Sequence, residues 1–378
     1  MGKIDFTGAV IHRYRCIADD QNIDFTGDIT AIIGENEAGK TSILQAIAKA
    51  GCYGTETRNL KFNPEDDYPK RKIKELEGDA PKAVTMKYVM SSGFADEIEK
   101  ATGEKIRDRS FLAVTDYENR MRIDGPFSEM IQEKYIKPNL PVFLYYDEYY
   151  SLPSRVSLDR LCRGENLTLS ERTAQALLYL ADFDTEKTDD TGDDSFYKTK
   201  LENIQAEFTE NFLKYWTGNS DLQIEFEITK EEKATKEPSK GLFARFRKTH
   251  SAEKERFLEI RINDRKNMVS MPLDKRSRGF NWFFSFWVWF KAVQKEDAAN
   301  YVFLLDEPGM WLHEEGQKDL MRLMDEISCQ SKIVFTTHSP FMAKWVKDNL
   351  YMISDGRLEK APSQMDQRGT EHGKDTPC

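Results

Sequence analysis

Nine consecutive residues carry the clearest chemistry in this chain: Gly34, Glu35, Asn36, Glu37, Ala38, Gly39, Lys40, Thr41 and Ser42. Gly34, Gly39, Lys40 and Thr41 complete G-x-x-x-x-G-K-[ST], the P-loop. Glycines at these positions let backbone amides turn inward as a nest for phosphate oxygens, at the positive end of the helix that follows. Lys40 is placed to reach β- and γ-phosphates, and Thr41 to bind Mg²⁺. The motif requires a strand before it and a helix after it. Residues 29–33 are an apolar β-rich run and residues 41–49 a helix-forming one. The segment is therefore expected to bind a nucleoside triphosphate.

The second group lies far along the chain. YVFLLD ends in Asp306 and is followed by Glu307. A carboxylate at the end of a buried strand holds the Mg²⁺ shell, usually through water, and the adjacent Glu307 is expected to act as general base. PVFLYYDEYY offers a rival pair, Asp147 and Glu148, also after an apolar strand. The later pair is preferred because a further strand, IVFTT, follows it and leads into His338. A histidine there can hydrogen-bond a γ-phosphate and hold the attacking water, whereas Asp147 and Glu148 read as structural or lobe-contact residues. No N-K-x-D motif marks a guanine site and nothing supplies a phosphoryl acceptor, so GTPase and kinase readings fall away. A motor-type ATPase with an arginine finger stays open on pattern alone.

These residues need an α/β frame. Short β-rich runs at 4–12, 23–25, 29–33 and 83–89 fill the first third, with 141–146 a further strand. Helical spacing governs 168–181, opening with Ser170-x-x-Thr173, and 200–216, with Ile204, Phe208, Phe212 and Trp216 on one face. Two strands, 222–228 and 257–262, flank a long charged loop. Helix and strand then alternate through 280–295, 301–305, 315–328 and 333–336, which argues for a parallel core. Residues 280–293 hold eight aromatics, suited to a core or a subunit contact and too few to span a bilayer. The 378 residues carry a net charge of -10, so nucleic-acid binding would have to be local. The local candidate is the stretch from Lys240 to His250, where Arg245, Arg247 and Lys248 interleave with Phe243 and Phe246. Five scattered cysteines without a C-x-x-C pair, and no signal-like N-terminus, point to a reduced cytoplasmic protein without zinc.

Taken together, these blocks resemble the ABC-type ATPase heads of the SMC/RecF group, and most closely the ATPase part of OLD-family proteins, from near Ile4 to about Ser354. RSRGFNWFFSF (276–286) carries the resemblance most specifically, standing where transporters have L-S-G-G-Q. PVFLYYDEYYSLPSRVSLDRL, LSERTAQALLYLADFD and NPEDDYPK add to it. The resemblance implies a mixed sheet, with an antiparallel N-terminal subdomain and a parallel core, in a head formed by 1–153 and 222–361. The sequence pattern adds a flexible basic loop at about 230–255, a helical insertion at 154–221 that could serve in dimerisation, and a polar, aperiodic tail at 362–378 expected to be disordered. ATP and Mg²⁺ are the implied ligands, with Arg15 near the nucleotide. Two heads would sandwich two ATPs, one subunit's P-loop facing Ser277 and Gly279 of the other, with Arg276 or Arg278 as a trans positive charge.

Full OLD proteins continue after the histidine into a TOPRIM nuclease domain, which needs roughly a hundred residues. Here 39 residues follow Ser339. The expectation is a fragment, or an ATPase that is not itself a nuclease and acts through an effector such as a nuclease or toxin. Family context suggests anti-phage defence or DNA maintenance. The alternatives are the ATPase subunit of a membrane transporter, or an ATP-gated dimerisation scaffold with slow turnover.

Overall fold

The computed structural model describes residues 2–25, 27–51, 60–76, 81–164, 166–183, 194–232, 254–295, 300–346 and 349–362. The basic stretch at 240–250 and the tail from 363 lie outside the described residues. Two compact units emerge: Met1–Asp147 with Ala298–Met310 and Met321–Cys378, and Glu148–Asp297 with Trp311–Leu320.

The first unit is built on two sheets. Five strands form an antiparallel sheet in the order Gln21–Asp24, Ile4–Ile11, Lys82–Met90, Ser110–Asp116, Met121–Asp124. Six form a mixed sheet in the order Arg357–Lys360, Leu350–Ser354, Ile29–Gly34, Lys332–Thr337, Tyr301–Leu305, Val142–Tyr146. Five of these six run parallel and Arg357–Lys360 is antiparallel. Ile29–Gly34 and its neighbours are nearly all apolar because parallel strands are covered on both faces. The helix Lys40–Gly51 buries Ile43, Leu44, Ala46 and Ile47, which join Phe6, Ile11, Phe25 and Phe143 in one core.

Register decides which residues meet at the carboxyl ends of the parallel strands. Leu305 lies opposite Phe335 on one side and Tyr146 on the other, while Thr337 lies opposite Ile33. Asp306, Thr336, His338 and the P-loop thus leave the same edge, where parallel α/β sheets bind their ligands.

The second unit centres on the strand Lys254–Asp264, which pairs along its length with Leu222–Glu232. Its other edge takes Arg155–Ser157 and Val269–Pro272. Residues 154–221, expected as a helical insertion, supply this strand as well as the helices Leu158–Arg163, Leu169–Leu180 and Asp194–Leu213. Thr168, rather than Ser170, caps the second of these: its hydroxyl and the Glu171 carboxylate form a reciprocal capping box. The aromatic helix Arg278–Lys295 is an interior element, with Phe280, Phe283, Phe284, Phe286 and Trp287 buried. Phe212 meets Phe280, Phe283, Phe284 and Trp287 edge-on at 5.2–5.9 Å, contacts worth roughly 0.5–1.5 kcal/mol each beyond burial. Among the described residues no helix is long and apolar enough to cross a membrane.

Candidate nucleotide-hydrolysis site

The P-loop is shaped by its backbone. Glu37 (φ 63°) and Gly39 (φ 114°) both have positive φ. A Cβ on Gly39 would stand 2.8 Å from Cys16 Sγ and 3.1 Å from Ile353 Cδ1, so glycine is required for space as well as conformation. The hairpin formed by Leu350–Ser354 and Arg357–Lys360 buttresses the loop, since Gly356 N–H donates to the Ala38 carbonyl at 3.0 Å. Glu35, Asn36 and Glu37 are exposed at the loop's tip, while Lys40 and Ser42 are buried.

Lys40 begins the helix and its ammonium is fully engaged. It donates to the carbonyls of Gly34 (3.2 Å) and Glu35 (3.0 Å) and stands 2.7 Å from His338 Nε2. An ammonium has only donors, so the imidazole nitrogen accepts. Glu307 Oε1 lies 3.5 Å from the same ammonium and 3.3 Å from His338 Nε2.

Asp306 gathers three hydroxyls. Thr41 Oγ1 (3.0 Å) and Thr336 Oγ1 (2.7 Å) donate to its Oδ1, and Tyr145 OH (2.9 Å) donates to its Oδ2. Glu307 adopts φ 49°, a left-handed conformation that costs a non-glycine residue about 1–2 kcal/mol. Two hydrogen bonds hold it there: its own N–H to Thr336 Oγ1 (2.8 Å), and His338 N–H to its Oε2 (3.1 Å). Its Oε1 is buried without a hydrogen bond. Burial raises the Glu307 carboxyl above the ordinary glutamate range, against the opposing pull of His338 and Lys40. Burial, with the Asp306 charge beside it, also raises the Tyr145 phenol, which stays a donor at neutral pH. A raised carboxyl beside an ammonium and an imidazole suits a proton acceptor.

Arg15 stands in a tight turn with φ 52°. It donates to Gln45 Oε1 on the P-loop helix at 2.5 Å and faces Asp67 Oδ1 at 3.7 Å. Asp67, fully buried, also accepts from Lys49 Nζ and from Asn63 N–H (2.8 Å). The NPEDDYPK segment thereby anchors the turn carrying Arg15 to the P-loop helix.

The donor set fits Mg-ATP. It has a glycine cradle that a Cβ would fill, a buried ammonium, a hydroxyl–carboxylate pair at Thr41 and Asp306, and one buried carboxylate oxygen lacking a hydrogen bond. Residues 10–343 match the AAA ATPase domain. The chain belongs to that family. The fold of this ATPase domain is similar to an Smc head bound to the C-winged helix domain of ScpA, with TM-score 0.51 and 16% identity over 96% of this chain and 99% of that one. It is also similar to an Smc head from Pyrococcus furiosus with an extended coiled coil, bound to the C-terminal domain of ScpA, with TM-score 0.50 and 13% identity over 97% and 98%. The shared architecture is an SMC-head-like α/β fold with mixed sheets. An uncharacterized protein of Methanocaldococcus jannaschii, MJECL43, is 25% identical over 144 residues, covering 36% of this chain and 31% of that protein. The match thus spans about a third of the length of that relative.

Lys40, Thr41, Asp306, Glu307 and His338 come together in the first unit of the ATPase domain; Ser277 and Gly279 belong to the second. Ser277 Oγ accepts from Phe280 N–H at 3.2 Å and caps the aromatic helix. Gly279 is buried against the Trp311 carbonyl, which a Cβ would approach to 2.5 Å. Arg276 lies over the Phe280 ring (5.4 Å) and Arg278 over the Trp311 ring (4.9 Å). Four residues at or behind the site escape sequence reading: Thr336, Tyr145, Gln45 and Asp67. Thr336 could be found as the residue opposite Asp306 once the two strands are paired in register; Tyr145 lies in the strand of the rival acidic pair.

Proposed function

We propose that this ATPase domain binds Mg-ATP and hydrolyses it to ADP and phosphate, with Glu307 as general base. The meeting of Glu307 with Lys40 and His338, beside the Thr41–Asp306 pair, carries this reading. Thr41 would hold Mg²⁺ directly and Asp306 through water, and the ion would neutralise charge on the β- and γ-phosphates. Glu307 takes a proton from water as its oxygen attacks the γ-phosphorus, and the bond to the bridging oxygen breaks. His338 steadies the γ-phosphate, and Arg15 adds positive charge near the nucleotide. Lys40 must exchange the carbonyls of Gly34 and Glu35 for phosphate oxygens.

Hydrolysis is the reset of a switch in this proposal. Two copies close around ATP, with Ser277 and Gly279 of one facing the nucleotide of the other, and open after turnover. The SMC-head-like fold supports the pairing, and the ScpA-bound relatives support a protein partner for this chain. The RSRGFNWFFSF segment supports closer kinship with OLD-family ATPases. The process served is DNA-directed, in genome defence or maintenance, through an effector protein. The test is the mass of Glu307→Gln in solution, with and without Mg-ATP. An ATP-dependent doubling, abolished by also introducing Lys40→Ala, is expected. An unchanged mass and compactness despite tight ATP binding would overturn the closing-head mechanism.

A further inference from the structure

Asp306 does not stand alone at the end of its strand. Tyr145, on the neighbouring parallel strand, lies opposite Leu304 in register, so its side chain is on the face that Leu304 and Asp306 share. Its hydroxyl donates to Asp306 Oδ2 at 2.9 Å and accepts from Gln45 Nε2 at 3.3 Å. Gln45 in turn accepts from Arg15 at 2.5 Å. Four residues from four segments thus form one unbroken line, from a partly exposed guanidinium to a carboxylate at the sheet edge. Each member has its direction fixed. Arg15 can only donate, Gln45 accepts through Oε1 and donates through its amide nitrogen, and Tyr145 passes its single proton to Asp306.

We propose that Tyr145 is a positioning residue for the metal-binding carboxylate, and that Gln45 ties it to Arg15, so metal affinity depends on the state of the arginine. The inference rests on the Mg-ATP reading of the site. Thr41 and Thr336 both donate to Oδ1. Tyr145 is the hydroxyl on Oδ2 and sets the rotation of the carboxyl plane. While Arg15 holds Gln45, the phenol stays aligned on Asp306, and loss of that hydrogen bond loosens Gln45 and Tyr145 together.

The test uses the full chain carrying Glu307→Gln, so that ATP is not consumed. Binding of Mn²⁺ with ATP present is followed by the loss of the free-ion spin-resonance signal. ATP affinity without metal and the melting temperature are measured in parallel. Tyr145→Phe should weaken Mn²⁺ binding about 10-fold and Gln45→Leu about 3-fold, with metal-free ATP affinity within about 2-fold. The double variant should bind like Tyr145→Phe alone, because Gln45 acts through the phenol. Additive losses, or a Tyr145→Phe chain binding Mn²⁺ within 2-fold of its parent, would overturn the proposal. Should Tyr145→Phe fail to fold, Gln45→Leu decides: unchanged Mn²⁺ affinity overturns the proposal too. A parent chain that binds no ATP and no ATP-dependent Mn²⁺ overturns the Mg-ATP reading itself, and this inference with it.

Discussion

Two adjacent parallel strands of this molecule lead into the same dipeptide, Asp-Glu, and the fold sets the two glutamates in different surroundings. After Tyr301–Leu305, Asp306 accepts three hydroxyls and Glu307 is held in a left-handed conformation beside Lys40 and His338. After Val142–Tyr146, Glu148 is exposed and opens a short 3-10 turn, Glu148–Tyr150. Position in the sheet separates them. A single strand, Lys332–Thr337, stands between Tyr301–Leu305 and the P-loop strand; it contributes Thr336 and leads into His338. Val142–Tyr146 lies one place further out and supplies the phenol of Tyr145 to Asp306. Identical residue types acquire different surroundings from the strand order, which the dipeptide does not encode.

Lys40→Ala removes the ammonium that organises the inner pair, and should weaken ATP binding on the order of 100-fold, read by equilibrium titration with a fluorescent analogue. Retained affinity would mean that the inner pair is not where nucleotide binds. Thr336→Val comes next. It removes a donor to Asp306 and the acceptor of Glu307 N–H, so turnover should fall about 10-fold and stability by roughly 1–3 kcal/mol in urea unfolding. A loss of stability with unchanged turnover would show that the left-handed Glu307 does not matter to the chemistry.

The acid side of the pH profile sharpens the same contrast. Glu307 must be ionised to accept a proton, and its carboxyl is raised chiefly by burial. The kcat/KM for ATP should therefore fall, as pH drops, at a midpoint above the ordinary glutamate range. For a raised carboxyl, the folded state is favoured at low pH and that advantage is lost as pH rises through the folded value. Glu307→Gln should accordingly raise the melting temperature more at pH 8 than at pH 5. An equal shift at both would show that ionised Glu307 carries no strain from burial.

Much of the frame was legible in the sequence. The P-loop strand and helix, the strand Tyr301–Leu305 and the order of the catalytic blocks follow from apolar runs bounded by motif residues. In the sequence the strand that follows favours Asp306 over Asp147, and in the fold that strand, Lys332–Thr337, lies between Tyr301–Leu305 and the P-loop strand. Other features depended on partners far along the chain. The hairpin Leu350–Ser354 with Arg357–Lys360 turns at Asp355-Gly356, both with positive φ, and the short polar run RLEK hides its second strand. The helix Ser92–Thr102 carries a serine cap and a left-handed Gly103, local signals outweighed by its charged sequence. Tyr145 and Gln45 read as core and helix-surface residues until strand register and helix facing bring them to Asp306. The resemblance makes Gly279 a phosphate-facing glycine, and what the fold shows is that its lack of a side chain makes room for the Trp311 carbonyl.

The most direct measurement is ATP turnover of Glu307→Gln beside Glu148→Gln, at saturating Mg-ATP with nucleotide binding confirmed for both. Glu307→Gln should bind ATP and turn it over about 10²–10⁴-fold more slowly, and Glu148→Gln should stay within about 2-fold of the unmodified chain. Equal losses in the two, or a larger loss in Glu148→Gln, would contradict the assignment of hydrolysis to the inner strand.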